Sequence, residues 1–290
     1  MSDPVNHHWL PQFLMRPWCD EKGLVTSFYR PHTKVVANRR SPSALGSEDH
    51  LYTVVSAANP DPYYFEKEVM TRASDTPGAV MRDRLLSGDI PLPGSLARME
   101  FVRFMLFLFL RRPDVIKTQK AASEDQIYGK ARKLEEALKD LDPTYYERHF
   151  AEKVEATKGT GEYIALHAAL SVVVKHEFVP IIAAREWRVL DFSGSPLDLI
   201  MGDGPVQIYT RGDQFDRLEM PLSPRHLLMV GSNEFFARDV TIRETYRKNL
   251  AERSNRTQLK RSRVFAVATG LGPDDCHRKM AEAAMPKRRA

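Results

Sequence analysis

The sequence predicts an α+β protein: a small N-terminal hairpin, a central helical bundle, and a C-terminal mixed or antiparallel sheet with a basic helix. Three observations carry that expectation. Residues 197–230 read as three short apolar runs (197–201, 206–209 and 218–230). They are cut by Gly202-Asp203-Gly204-Pro205, by Arg211-Gly212-Asp213, and by Pro221 and Pro224. Short runs of Val, Ile, Leu and Met between such breakers are the pattern of strands meeting at turns. Residues 60–184 instead carry apolar positions at helical spacing or in long unbroken stretches, as core helices do. Strand-like segments stand before and after that stretch, so strands and helices are segregated along the chain, which is the α+β order.

Taken in order, Pro11 suits the first turn of a short helix that Pro17 would stop. Residues 24–30 and 34–38 form a hairpin across Pro31-His32-Thr33. The Asn59-Pro60-Asp61-Pro62 turn leads into one or two helices over 63–86, broken near Thr76-Pro77-Gly78. Ser95 N-caps a helix that runs to Arg112, apolar nearly all round at its end and so expected at the centre of the bundle, until Pro113 stops it. Residues 123–141 are amphipathic, with Ile127, Ala131, Leu134 and Leu138 on one face. Pro143 begins a further helix to about residue 156, and a long helix carries 163–182. Residues 185–192 alternate as a strand, a basic helix covers about 235–262, 264–268 close the sheet, and 274–284 form a last helix. The expected organisation is one domain over 1–290. In it 60–184 is mainly helical, 1–59 with 185–268 holds the strands, and 269–290 is a basic extension. The N-terminal hairpin is free to return to the C-terminal sheet.

Composition narrows the class. A hydrophobic fraction of 42% and a charged fraction of 28% belong to a globular chain, not a disordered one. The net charge is +5, and its placement matters more: residues 238–263 hold nine Lys/Arg against three Asp/Glu, a local surplus of six. Lys287-Arg288-Arg289 add a second basic spot. Cys19 and Cys276, far apart and without metal-ligand spacing, argue against a disulfide framework or a structural zinc. The N-terminus lacks the basic start and long apolar core of a signal peptide. The longest apolar stretches, 101–110 and 164–184, read as core helices, the second because it carries His167, Lys175, His176 and Glu177. The expectation is a cytoplasmic protein with no membrane contact.

Several segments in order resemble one family. His8-Trp9-Leu10-Pro11, with Phe13 and Leu14 after it, is similar to the "H-Y-V-P-x-x-Y/F-L" opening of domain-of-unknown-function family 4238 (DUF4238). Residues 104–112 with Pro113 resemble its apolar helix ending in an R-x-P step. The Trp187 strand and Gly202-Asp203-Gly204-Pro205 resemble its approach to an "S/T-D-x-P" turn. Pro221-Leu222-Ser223-Pro224 is similar to its "P-L-S/T-P" segment, and Asn255 followed by Arg263-Val264-Phe265-Ala266 to its closing "N … R-x-V/I-Y/F-A". The likeness spans about 7 to 268. Trp9 and Gly202 depart from it, and the hydroxyl missing at 202 removes any role it had beside Asp203. The resemblance implies a bacterial setting, an architecture, and turn or structural duties for Pro11, Pro205, Pro221 and Asn255. It implies no activity, although an accessory role in phage defence or on mobile elements would suit such a family.

Two groups of residues are candidates for function. His8 and Asp203, joined by Arg263, would form a site if the N-terminal segment packs beside the 202–205 turn, since a carboxylate fixes the tautomer of a His acting as base or metal ligand. The structural alternative is a hydrogen-bonded His8 and an Asp203 that caps its own turn through backbone N–H groups. A divalent metal is compatible with the first, and nothing in the sequence names which one. His7, next to His8 on an extended segment, faces the other way. No H-E-x-x-H, G-x-S-x-G, P-loop or G-x-G-x-x-G is present. The second group is the basic helix, where Arg253, Arg256, Lys260 and Arg263 recur on one face, with Arg243 and Arg247 one turn apart before them. Such a stripe suits nucleic-acid phosphates or another polyanion, although only Tyr246 and Phe265 are near for base stacking; a solvated face or an internal partner for acids is the alternative. Three readings stay open. One is a metal- or His-assisted phosphodiesterase acting on nucleic acid or a nucleotide. The second is a non-catalytic module binding a polyanion or a protein. The third is a structural or regulatory protein. The oligomeric state is not legible.

Overall fold

The computed structural model describes residues 5–238, 247–269 and 276–286. The chain opens with strand β1 (Asn6–His8), helix α1 (Gln12–Met15) directly after Pro11, the hairpin β2 (Val25–Tyr29) and β3 (Val36–Arg40), and β4 (Ser47–Asp49). A π-helical segment, Phe65–Asp75, passes into α2 (Thr76–Leu86), followed by α3 (Leu96–Leu110) and α4 (Pro113–Glu124). A second π segment, Asp125–Gly129, leads to α5 (Lys130–Leu141), α6 (Pro143–His149), α7 (Ala151–Glu155), α8 (Thr160–Lys175) and α9 (Phe178–Ala184). Strands β5 (Glu186–Asp191), β6 (Met201–Gly202), β7 (Gln207–Arg211), β8 (Gln214–Ser223) and β9 (His226–Gly231) come next. Helices α10 (Asn233–Arg238) and α11 (Arg247–Arg261), strand β10 (Ala266–Ala268) and helix α12 (Cys276–Ala284) complete the chain. Helices and antiparallel sheets in separate blocks make this an α+β fold.

Sequence punctuation explains most boundaries. Pro113 stands at the first position of α4, where its missing N–H is no loss. Ser95 Oγ accepts the Arg98 N–H at 3.4 Å, and Asp142 caps α6 by accepting the Tyr145 N–H at 2.9 Å. Gly159, at φ +74°, makes the left-handed turn into α8. The Glu124 carboxylate then accepts the N–H groups of Gly159, Gly161 and Glu162 at 2.6, 3.0 and 3.3 Å, satisfying the orphan donors of that helix start. The stretch Ala151–Ala184 is long and apolar enough, by length and composition, to cross a membrane, and 28% of its apolar window is buried. Its longest helix, α8, has 16 residues and so reaches only about 24 Å, against a hydrocarbon core of about 30 Å.

The chain forms two compact units. One comprises Met1–Trp9, Glu48–Thr76 and Leu110–His176; the other comprises Leu10–Ser47, Pro77–Phe109 and Glu177–Ala290. The first holds the small β1-β4 ribbon and helices α4 to α8. Here α5 keeps part of the expected inner face, with Ala131 and Leu138, and Ile127 before it, half-buried. Glu135 is its buried residue, while Leu134 is 55% and Leu141 82% exposed. Glu135 binds Lys139 at 2.7 Å and also Arg132, and it takes the Tyr146 hydroxyl, so a hydrogen-bonded carboxylate is buried beside the apolar stripe.

The second unit holds both four-stranded sheets. One has the order β3-β2-β10-β6 and the other β5-β9-β8-β7. The N-terminal hairpin does return to the C-terminal strands: β10 pairs antiparallel with β2 and with β6, Ala266 facing Phe28 on one side and Gly202 on the other. The apolar run 197–201 ends in this sheet, and the two later runs build the other. Helix α3, expected at the centre of the helical bundle, belongs to the sheet-bearing unit through residue 109, with Phe101, Val102, Phe104 and Met105 buried. Its Phe104 ring lies so close to Gly78 that a Cβ there would come within 2.8 Å of it. Within the expected basic helix over 235–262 the described residues form α10 and α11; 239–246, with Arg243 and Tyr246, fall outside the described residues. Helix α11 crosses two cores. Leu250 and Ala251 pack with Leu190, Phe192 and Met229, whereas Leu259 packs with Phe28, Ile200 and Ala266. The expected extension 269–290 contains α12, whose Met280 and Ala281, with Met285 after it, fill that second core.

Candidate functional site

The Asp203 turn is built from the underside of α11. Asn255, fully buried, accepts the Ile200 N–H at 2.7 Å and donates to the Asp198 carbonyl at 2.8 Å. One helical turn later Gln258 accepts the Gly202 N–H at 2.9 Å and donates to the Pro205 carbonyl at 2.8 Å. Gly202 is pressed against this helix. A Cβ at that position would lie 2.6 Å from Ser262 Oγ, so the residue that departs from the family pattern is the one this packing requires.

Asp203 is 1% exposed. Its Oδ1 accepts the Arg263 N–H at 3.0 Å, and its Oδ2 accepts the N–H groups of Arg263, Val264 and Phe265 at 3.1, 2.5 and 3.4 Å. The Asp203 N–H donates back to the Phe265 carbonyl at 3.0 Å. The carboxylate therefore serves the backbone that leaves α11 for β10, where buried N–H groups need acceptors. The structural alternative read from the sequence has Asp203 capping its own turn; the N–H groups it accepts instead belong to residues 263–265, sixty positions later. This arrangement brings Asp203 and Arg263 together through the main chain of Arg263, whose side chain is exposed. His8 belongs to the other unit. Of the turn residues, Pro11 precedes α1, Pro205 is buried beside Val206, and Pro221 sits where the β8–β9 register shifts. Asn255 is the rivet already described.

The upper side of α11 carries the cations. Arg253 is drawn inward to Glu219 at 3.4 Å, and Arg217 meets the same buried carboxylate at 3.0 Å. Arg256, Lys260 and Arg261 are exposed. Arg256 and Lys260 face no acid among the described residues, so the internal-partner explanation holds for Arg253 and not for them. Arg261 donates to Gln207 at 2.6 Å. Phe265 is buried and cannot stack on a base. An aromatic that the sequence did not single out stands in its place: Tyr209 on β7 lies under the guanidiniums of Arg217, 3.7 Å from its ring centroid, and Arg261, 5.3 Å away.

The other unit contains a buried charge cluster that sequence reasoning missed. Arg111 is 0% exposed; its Nε donates to the Trp9 carbonyl at 2.8 Å and its Nη1 to Asp75 at 2.6 Å. The Tyr52 hydroxyl donates to the Arg111 carbonyl at 2.8 Å. His7, the histidine set aside in the sequence, is fully buried, accepts the Tyr52 N–H on Nδ1 at 2.9 Å and stacks on the Tyr52 ring. Arg111 Nη2 and Glu66 Oε2 are buried and meet no hydrogen-bond partner among the described residues. Burial first, and then Asp75, pushes the Glu66 carboxyl up to about 7 against the pull of Arg111. Burial raises Asp75 as well, opposed by Arg111. Both acids lie on the π-helical segment Phe65–Asp75, a geometry that recurs at functional sites. The available signal was the R-x-P step at Arg111-Arg112-Pro113.

Among the described residues, no group of three or more His, Cys, Asp and Glu is arranged to hold a metal ion. A family model described as "Protein of unknown function (DUF4238)" matches residues 6–269 of the chain. No curated protein and no solved structure matches it.

Proposed function

The chain belongs to the DUF4238 family, and we propose that it acts as a non-catalytic polyanion-binding module that holds single-stranded nucleic acid on the outer face of α11. The observation that carries this reading is the division of labour on that helix. Asn255, Gln258 and Leu259 are committed to the interior, while Arg256, Lys260 and Arg261 are held outward, and Arg261 reaches Gln207 and Tyr209 without meeting an acid among the described residues. A rigid cationic face attracts phosphates through counterion release, and an aromatic flanked by guanidiniums, as Tyr209 is, offers a sequence-tolerant stacking surface. The phosphodiesterase reading starts from His8 and Asp203 and draws no support from a carboxylate occupied by three backbone amides. A cytoplasmic setting suits the proposal, since both cysteines are free thiols.

Fluorescence anisotropy with single-stranded and duplex oligonucleotides over a salt series tests it. Binding should weaken steeply with salt. Arg256→Ala combined with Lys260→Ala should flatten the slope of log affinity against log salt by roughly 1.4, two single-strand phosphate contacts. Salt-independent binding, or an unchanged slope in the double variant, would remove α11 as the interface. Turnover of the oligonucleotide with added divalent metal, lost in Asp203→Ala while the protein stays folded, would restore the hydrolase reading.

A further inference from the structure

The cationic surface of α11 continues into a cavity at one end of the β5-β9-β8-β7 sheet. Arg211, Asp216, Ser232, Phe235 and Arg238 line an open space of about 220 Å³. A chain of guanidinium and aromatic contacts connects the two places. Arg261 lies over Tyr209 at 5.3 Å, Arg217 over the same ring at 3.7 Å, and Arg217 again over Phe235 at 5.5 Å. Phe235 is seated by sequence: a Cβ on Gly231 would come within 2.7 Å of its ring, so only glycine lets the aromatic lie against strand β9. Its N–H is held by Ser232 Oγ at 3.1 Å.

The charge of the cavity is organised around Asp216. That carboxylate pairs with Arg217 at 3.0 Å and more loosely with Arg211 at 3.7 Å. The Arg211 side chain, 79% exposed, remains directed at solvent. Arg238 is anchored by its Nε to the Glu234 carbonyl at 3.1 Å. The lining is thus two arginines, a hydroxyl and an aromatic wall, with one acid that is already paired. Guanidinium forks match the oxygens of a phosphoryl group. A volume of this size, below that of a drug-like site, suits one such group and part of its sugar better than a whole dinucleotide. A terminal phosphate also presents more charge and more acceptor oxygens than a backbone diester.

We propose that this cavity binds the terminal phosphate of a nucleic-acid strand whose backbone lies along α11, so that the protein recognises phosphorylated ends. The proposal rests on the nucleic-acid reading above and adds to it the group recognised. A strand leaving α11 passes Tyr209 and Arg217 before its end reaches Arg211, Arg238 and Ser232.

The test is competition against a labelled single strand by unlabelled oligonucleotides of one sequence ending in a 5′-phosphate, a 3′-phosphate or hydroxyls only, with adenosine monophosphate as a separate ligand followed by NMR. One phosphorylated strand should compete roughly tenfold better than the hydroxyl-ended one, the factor of one charge-assisted hydrogen bond. Arg211→Ala, a change at an exposed side chain, should erase that preference and leave hydroxyl-ended binding intact. Equal competition by all three strands overturns the cavity assignment and leaves the nucleic-acid reading standing. Failure to bind any strand, with adenosine monophosphate bound and lost in Arg211→Ala, overturns the strand reading and keeps the cavity as a nucleotide site. Binding of neither overturns both.

Discussion

At the scale of single residues, the strongest tie between charge and stability is Glu66. Its carboxyl is held at about 7 in the fold, chiefly by burial, against the ordinary glutamate value of 4.5. A carboxyl raised in the folded state favours folding in its protonated form. Its contribution is therefore complete below pH 4.5 and is lost as pH rises through 7, up to about 3 kcal/mol in all. Asp75, raised in the same direction, adds a slope of the same sign. Glu66→Gln, which keeps the shape without the titration, should unfold at a higher temperature than the parent at pH 8 and at nearly the same temperature at pH 5. Parallel curves at the two pH values would show that Glu66 ionises freely in the fold. None of this could be read from the sequence, where Glu66 and Asp75 look like ordinary acids of a solvated helix. Their burial follows from Arg111, which the chain brings back 36 residues after Asp75.

At the scale of elements, α11 and the 202–205 turn form one joint, and Asp203 closes it. Asp203→Asn replaces one of two accepting oxygens with an N–H₂ that must face backbone donors. The expected cost is about 2–3 kcal/mol, that of leaving buried donors unsatisfied. Urea unfolding followed by circular dichroism should show the lower midpoint, and oligonucleotide binding by the folded fraction should be unchanged. An unaltered midpoint would mean that the joint tolerates the loss. The sequence showed the parts of this joint, because Gly-Asp-Gly-Pro and the Asn255 segment are local patterns. It could not show that they bond to one another, which depends on the antiparallel placement of β6 beside β10. The same limit explains α5. Its apolar periodicity identified the helix and, through Ala131 and Leu138, part of its inner face, but not Glu135 as its buried residue, because the polar network of Arg132, Lys139 and Tyr146 that holds Glu135 draws on a residue outside the helix.

At the scale of the whole molecule, the α+β class was legible from segregated patterns, whereas the grouping of segments was not. Each compact unit gathers three separate stretches of chain, and the three apolar runs of 197–230 divide between two sheets, a partition no local period encodes. The C-terminus makes the point measurable. The family match stops at residue 269, and the residues after it looked like a basic tail. Yet Met280, Ala281 and Met285 complete the core around Phe28, Ile200 and Leu259. Arg30 fastens the same helix through the carbonyls of Glu282 and Met285, both at 2.5 Å, and His277 is 2.9 Å from the Asp198 carbonyl. Exposing two buried methionines costs about 3–6 kcal/mol, a large share of the roughly 5–15 kcal/mol that holds a domain together. A chain ending at Thr269 should therefore unfold at a much lower urea concentration, and a synthetic peptide of residues 270–290 added in trans should raise that midpoint again. If the shortened chain unfolds at the parent's midpoint, α12 is an ornament on a core that closes without it, and the family boundary at 269 is the boundary of the fold.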